Sequence, residues 1–135
     1  MVMTELSYLI GTVAIYLALI VAQAVFANLR YDLKTLLGPR DDLTPEGTFL
    51  LRARRAQANM TEAMVLFIPL VLVAHLADKT SALTAIGAGL FFWARLVYPV
   101  VYIAGVPVIR SLVWAAGLVG TLMIFWAVVT PPPAV

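Results

Sequence analysis

Residues Leu6 to Leu29 contain no charged side chain, and apolar residues fill most of the positions. A stretch of about 18 such residues is already long enough for a spanning helix. A cleaved signal peptide would begin with basic residues and carry a shorter apolar core. Here Glu5 stands ahead of the run and no Lys or Arg does, so a retained helix is expected over about 6–29. The pattern then changes. Arg30 to Arg55 is polar, with Arg30, Asp32, Lys34, Arg40, Asp41, Asp42, Glu46, Arg52, Arg54 and Arg55, and with turn signals at Gly38-Pro39 and Pro45-Glu46-Gly47. From about Thr48 good helix formers return. A second helix is expected over 48–77, polar at first and apolar from Met60, with Pro69 inside it. Asp78-Lys79-Thr80-Ser81 forms a tight polar turn. A third helix is expected over 82–103, interrupted by Arg95 and Pro99. Gly105-Val106-Pro107 is the next break, and a fourth helix is expected over 108–130, ended by Pro131-Pro132-Pro133.

Composition strengthens this reading. The chain has 135 residues, 63% hydrophobic and 12% charged, against about 25% charged residues in an ordinary soluble domain. Too little polar surface remains to dress a water-facing fold. The expected fold is therefore all-α: one domain over 1–135, an integral membrane four-helix up-down bundle. Cysteine is absent, which excludes disulfides, protein thiolate nucleophiles and sulfur-ligated metals. The lone histidine, His75, cannot form a histidine metal cluster, and no metal is expected. An interfacial position beside Asp78 is expected for it. No nucleic-acid partner is expected either.

The placement of the charges says more than their sum. Arg30, Lys34, Arg40, Arg52, Arg54 and Arg55 cluster around the first loop, and Arg110 opens the fourth helix. The second turn has only Lys79, and neither tail has a Lys or Arg. Cationic loops stay on the cytoplasmic side, so this pattern puts both termini on the opposite side.

Ionisable groups at membrane depth are costly and usually functional. At about 100° per residue, Arg52, Arg55, Asn59 and Glu62 fall within an arc of roughly 80° on the second helix. Arg95, Tyr98 and Tyr102 fall within roughly 60° on the third by the same rule. Both stripes lie towards the cytoplasmic ends, level with Arg110. They imply a cationic, hydrogen-bonding cavity with one carboxylate. One subunit cannot hide such stripes from lipid, so burial at a subunit interface is expected. The plainer alternatives are a structural Glu62–Arg95 ion pair, arginines that hold lipid headgroups, and tyrosines of an interfacial aromatic belt. Gln23 is expected to bond across helices, Gly87 and Gly89 to permit close helix approach, and Trp93, Trp114 and Trp126 to serve in packing or at the interface.

Three segments resemble the MAPEG family, the membrane-associated proteins in eicosanoid and glutathione metabolism. Arg55 to Glu62 is similar to its R-x-x-x-N-x-x-E signature, Arg95 to Tyr102 to its R-x-x-[YH]-x-x-x-Y run, and Pro107 to Ser111 to a P-x-x-R-S segment of its prostaglandin-synthase branch. The resemblance implies a homotrimer that binds glutathione between subunits near the cytoplasmic face. It implies glutathione contacts from Arg30, Arg55, Asn59, Glu62, Arg95, Tyr98 and Tyr102. Arg110 would face the thiol, with Ser111 beside it as a hydrogen-bond donor or a helix cap. A lipophilic electrophile or hydroperoxide would arrive from the bilayer, making the chain a glutathione transferase or peroxidase. Two departures concern the second substrate: Ala63 stands where the leukotriene-synthase branch has a tyrosine, and the first loop matches no single branch. The rival classes are a small transporter using Glu62 and a non-catalytic membrane scaffold. The first helix lacks the mid-membrane carboxylate of small multidrug transporters, and Glu62 sits among arginines.

Overall fold

The structure is a computed structural model that describes residues 4–30, 34, 37, 38 and 48–131; the side chains of Arg30, Thr48 and Phe49 are outside that description. It contains four long helices: α1 (Glu5–Arg30), α2 (Thr48–Leu76), α3 (Ala82–Ala104) and α4 (Pro107–Val129). Each is long and apolar enough to cross a bilayer. The expected spans agree with them to within a residue or so. The clearest shift is at α4, which begins at Pro107 itself. A proline at the first helical position loses no hydrogen bond and brings the right φ with it.

The helices differ in depth. In the most apolar window of α1 only 6% of residues are buried, against 39% in α3. Thus α3 is the central helix and α1 an outer one. α1 packs on α2 and α3, α4 packs on α2 and α3, and α1 does not touch α4. α2 turns one stripe inward: Leu50, Ala53, Ala56, Met60, Met64, Phe67, Val71 and Ala74 are all buried. Their spacing of three and four residues is that of a single helix face. Phe67 stacks on Phe91 of α3, with ring centroids 3.9 Å apart and planes 9° from parallel. Ala88 and Ile124 complete this cluster.

The tightest crossing is between α3 and α4. A Cβ placed on Gly87 would lie 2.7 Å from the Gly120 carbonyl oxygen, and one on Gly120 would lie 2.5 Å from that of Gly87. In lipid, where apolar side chains gain little by leaving their surroundings, small residues that let backbones approach supply the packing. On the other flank of the α2 stripe, Gln23 of α1 bonds to Gln57 and to the Ala53 carbonyl. Tyr16 and Thr61 share a 2.9 Å hydrogen bond. The interhelix role expected of Gln23 is therefore observed.

The two ends of the bundle are closed differently. At one end Gly105 adopts φ 77° and caps α3, donating to the carbonyls of Val101 and Tyr102. Arg52 donates to the Ile103 carbonyl at 3.0 Å, so it ties α2 to the end of α3 and leaves the polar stripe. At the other end Ser81 and Thr84 form a capping box, and the Lys79 ammonium donates to the Val128 and Thr130 carbonyls at the end of α4. His75 lies in the last turn of α2, where its carbonyl accepts a hydrogen bond from the Asp78 N–H. Its Nε2 lies 3.6 Å from a carboxylate oxygen of Glu5. Glu5 is buried and accepts a hydrogen bond from the Thr84 hydroxyl. The Thr84 hydroxyl supplies the donor that a carboxylate held away from water needs.

Candidate functional site

An open recess of about 700 Å³ is lined by α2, α3 and α4. Arg55 and Asn59 line it from α2, Tyr98 and Tyr102 from α3, and Arg110, Ser111, Trp114 and Ala115 from α4. The stripes are brought together because Arg55 and Asn59 flank the buried face of α2 while Tyr98 is buried on α3. Six of the residues singled out from the sequence thus share one space.

Arg95 and Glu62 lie next door. They line a smaller recess of about 180 Å³ together with Asn59, Ala63, Leu66, Phe91, Trp114, Leu118 and Thr121. The two spaces have Asn59 and Trp114 in common. Arg95 is only 3% exposed, so its charge has to be compensated internally. One of its terminal nitrogens donates to Asn59 Oδ1 at 2.5 Å. Its guanidinium carbon lies 5.5 Å from the Phe91 centroid and 5.2 Å from that of Tyr98, which adds cation–π attraction on two sides. Its Nε is buried and has no hydrogen-bond partner. The ion pair with Glu62 that the sequence allowed is not formed among the described residues. Asn59 takes the place of the carboxylate, and Glu62 remains exposed.

Arg110 continues the series. Its guanidinium carbon sits 5.0 Å from the Tyr102 centroid, and Tyr102 lies 5.7 Å from Tyr98. Arg95, Tyr98, Tyr102 and Arg110 therefore form a ladder of alternating cation and aromatic contacts along one wall. The Arg110 backbone N–H bonds to the Val106 carbonyl. Val106 supplies no side-chain cap, and Pro107 occupies the first turn. Ser111 neither caps the helix nor faces the recess with a free hydroxyl hydrogen: it donates to the Pro107 carbonyl at 3.1 Å. That local bond is the usual competitor for a serine inside a helix. Arg30 closes α1, but its side chain falls outside the described residues, as does most of the first loop.

The chemistry available is that of an anion receiver. Two guanidinium groups, Arg55 and Arg110, line the larger space, and an amide and two phenols add neutral hydrogen-bonding groups. Glu62 adds one negative charge at the adjoining edge. No cysteine exists to serve as a nucleophile. Among the described residues no group of His, Asp or Glu could hold a metal. Trp114 lines both spaces, although only a packing or interface role was expected of it. The signal was its position one turn after Arg110, which puts both on one face of α4.

A family model, that of the MAPEG family, matches residues 5–130, which is nearly the whole chain. Neither the curated proteins nor the solved structures include a match to it.

Proposed function

Because the chain belongs to the MAPEG family, we propose that this integral membrane protein binds glutathione in the larger recess and uses it against lipophilic electrophiles or hydroperoxides. The observation that carries the reading is the gathering of Arg55, Asn59, Tyr98, Tyr102 and Arg110 around one space of about 700 Å³. That volume lies within the range of about 300–1,000 Å³ typical of ligand sites. Glutathione carries two carboxylates and one ammonium at neutral pH. Arg55 and Arg110 suit the carboxylates through charge-assisted, fork-shaped hydrogen bonds. Glu62, at the neighbouring edge, suits the ammonium. Asn59, Tyr98 and Tyr102 suit the peptide groups, and Arg95 holds Asn59 in place from behind.

Glutathione supplies the sulfur nucleophile that a chain without cysteine lacks. A free thiol titrates near about 8.5, so little of it is thiolate at neutral pH. Arg110 favours the charged form by its guanidinium, and the weak screening of a membrane-embedded recess strengthens that attraction. The N–H groups of the first turn of α4, uncapped by any side chain, add a positive helix end on the same side. Arg110 is accordingly assigned the activating role, and Ser111 a supporting one through its bond to the start of α4.

A homotrimer follows from the same reading. Arg55 and Glu62 are exposed on a subunit that also exposes many large apolar side chains, and a neighbouring subunit would cover them. The Lys/Arg pattern orients the site toward the cytoplasm, with both termini on the far side. Purified protein in detergent should be stabilised against heat by glutathione, with a melting temperature that rises with concentration. No stabilisation at saturating glutathione would refute the function.

A further inference from the structure

The end of the bundle opposite Arg110 holds a polar space of its own. The turn after α2, the start of α3 and the end of α4 line a recess of about 390 Å³, within the range of about 300–1,000 Å³ typical of ligand sites. We propose that it seats the headgroup of a bilayer lipid that pairs a phosphate with a primary ammonium, as phosphatidylethanolamine does. The inference stands apart from the glutathione reading and uses none of its residues.

Position makes the occupant a membrane lipid. α2 ends at Leu76, α3 begins at Ala82 and α4 ends at Val129, and each is long enough to cross a bilayer. The recess therefore lies where the spans leave the hydrocarbon and the headgroups begin. Trp126 lines it and is 64% exposed, and an indole open to its surroundings is typical of that level. Leu83 and Ala127 give the recess an apolar part. One helical turn deeper than Leu83 and Trp126, on the same faces, stand Ile86 and Leu122, both exposed. Acyl chains can run from the recess down the outside of α3 and α4.

Charge selects the headgroup. Lys79 and Asp78 both line the recess, one cation and one anion. The Lys79 ammonium is held at the end of α4 by the Val128 carbonyl at 2.6 Å and the Thr130 carbonyl at 3.2 Å. These acceptors carry no full charge, and they leave one of the three N–H groups of the ammonium over. A lipid phosphate supplies both the missing acceptor and the counter-charge. The Ser81 hydroxyl oxygen accepts from the Thr84 N–H, which leaves its own hydrogen for a phosphate oxygen, and the Thr80 hydroxyl stands beside it. Asp78 is exposed, and among the described residues its carboxylate has no ion-pair or hydrogen-bond partner. A primary ammonium suits it. An anionic headgroup without an ammonium would bring a second negative charge to Asp78. A choline headgroup has no N–H to donate, and its usual receptor is a cage of several aromatic rings, whereas the described lining has one ring, Trp126.

The test uses the full-length protein, purified in detergent and stripped of lipid, and measures lipid binding by native mass spectrometry. The probes are dioleoyl lipids that differ only in headgroup: phosphatidylethanolamine, phosphatidylcholine and phosphatidylglycerol. The ethanolamine lipid is expected to bind more tightly than either of the others by about three- to fivefold, the gain from one charge pair at an exposed site. Asp78 adopts φ 53°, which asparagine also tolerates, so Asp78→Asn removes the charge and keeps the turn. It should lower the ethanolamine lipid to the level of the choline lipid and leave the choline lipid unchanged. Ala127→Leu fills the recess from α4 and should remove the tight binding of the ethanolamine lipid. Soluble glycerophosphoethanolamine, the same headgroup without acyl chains, should not displace the lipid at equal concentration. Equal binding of the three lipids, or tighter binding of phosphatidylglycerol, would overturn the proposal. So would an ethanolamine preference that survives in either variant that keeps its helical content, and a folding failure of one variant leaves the other to decide. Displacement by the soluble headgroup at equal concentration would overturn the bilayer as the source of the ligand.

Discussion

Asn59→Leu isolates the interaction on which both recesses depend. Asn59 Oδ1 is the acceptor that the protein provides for the Arg95 guanidinium, at 2.5 Å, and Arg95 is 3% exposed. A hydrogen bond to a charged group contributes about 1.5–3 kcal/mol. Leucine has similar size and leaves the guanidinium with only the Phe91 and Tyr98 faces. Those faces are worth about 0.5–2 kcal/mol each and are retained. The expected cost is therefore about 2–3 kcal/mol of stability, measured by reversible unfolding in mixed micelles. A double-mutant cycle separates the bond from the loss of the amide itself. Arg95→Met removes the charge that needs an acceptor, so Asn59→Leu should cost much less in that background. The coupling energy should be about 1.5 kcal/mol or more, in the range for residues in direct contact. Asn59→Leu should also weaken glutathione by about 1–2 kcal/mol through the lost neutral contact. A coupling energy near zero would refute the claim that Asn59 stabilises the buried Arg95 charge through this hydrogen bond.

Other outcomes follow from the same geometry. Arg110→Ala should keep glutathione binding but lose the ultraviolet thiolate signal of bound glutathione at neutral pH; a variant that keeps both the signal and turnover would move the activating role to Tyr98 or Tyr102. Gly120→Leu places side-chain atoms against the Gly87 carbonyl and should cost at least about 1–3 kcal/mol of stability by overpacking, read by the same unfolding assay; no loss would mean that the α3–α4 crossing is looser than described. Glu5→Ala removes the buried acceptor for Thr84 and the neighbour of His75 and should cost about 1–3 kcal/mol, whereas Glu5→Gln, which preserves an acceptor, should cost less.

Much of this architecture was legible in the residue order because lipid imposes a strict rule: each span must satisfy its own backbone. The four apolar runs therefore mark α1 to α4 almost to the residue. Spacing also placed Arg55, Asn59, Tyr98, Tyr102 and Arg110 on faces that do converge. What spacing could not give is depth. Arg95 and Arg55 look alike in sequence, yet one is buried behind Asn59, with Gly117 of α4 against its guanidinium, and the other is exposed. Arg52 likewise belongs to the stripe by angle but is drawn away by the unpaired carbonyl of Ile103. The Glu5–His75–Thr84 contact joins three helices and has no local signal at all. Ser111 was open to several partners, and the nearest carbonyl, that of Pro107, took it.

The claim that the larger recess is a glutathione site is tested most directly by equilibrium binding of glutathione to the purified protein, wild type beside Arg55→Ala and Glu62→Ala. Saturable binding by the wild type is predicted, weakened by about 2–5 kcal/mol in each variant, the penalty for leaving alone one partner of a charge pair that the bound glutathione and the neighbouring subunit of the proposed trimer desolvate. Both variants should retain the helical content and melting behaviour of the parent in the absence of ligand. No saturable binding by the wild type, or equal binding by all three proteins, would contradict the assignment.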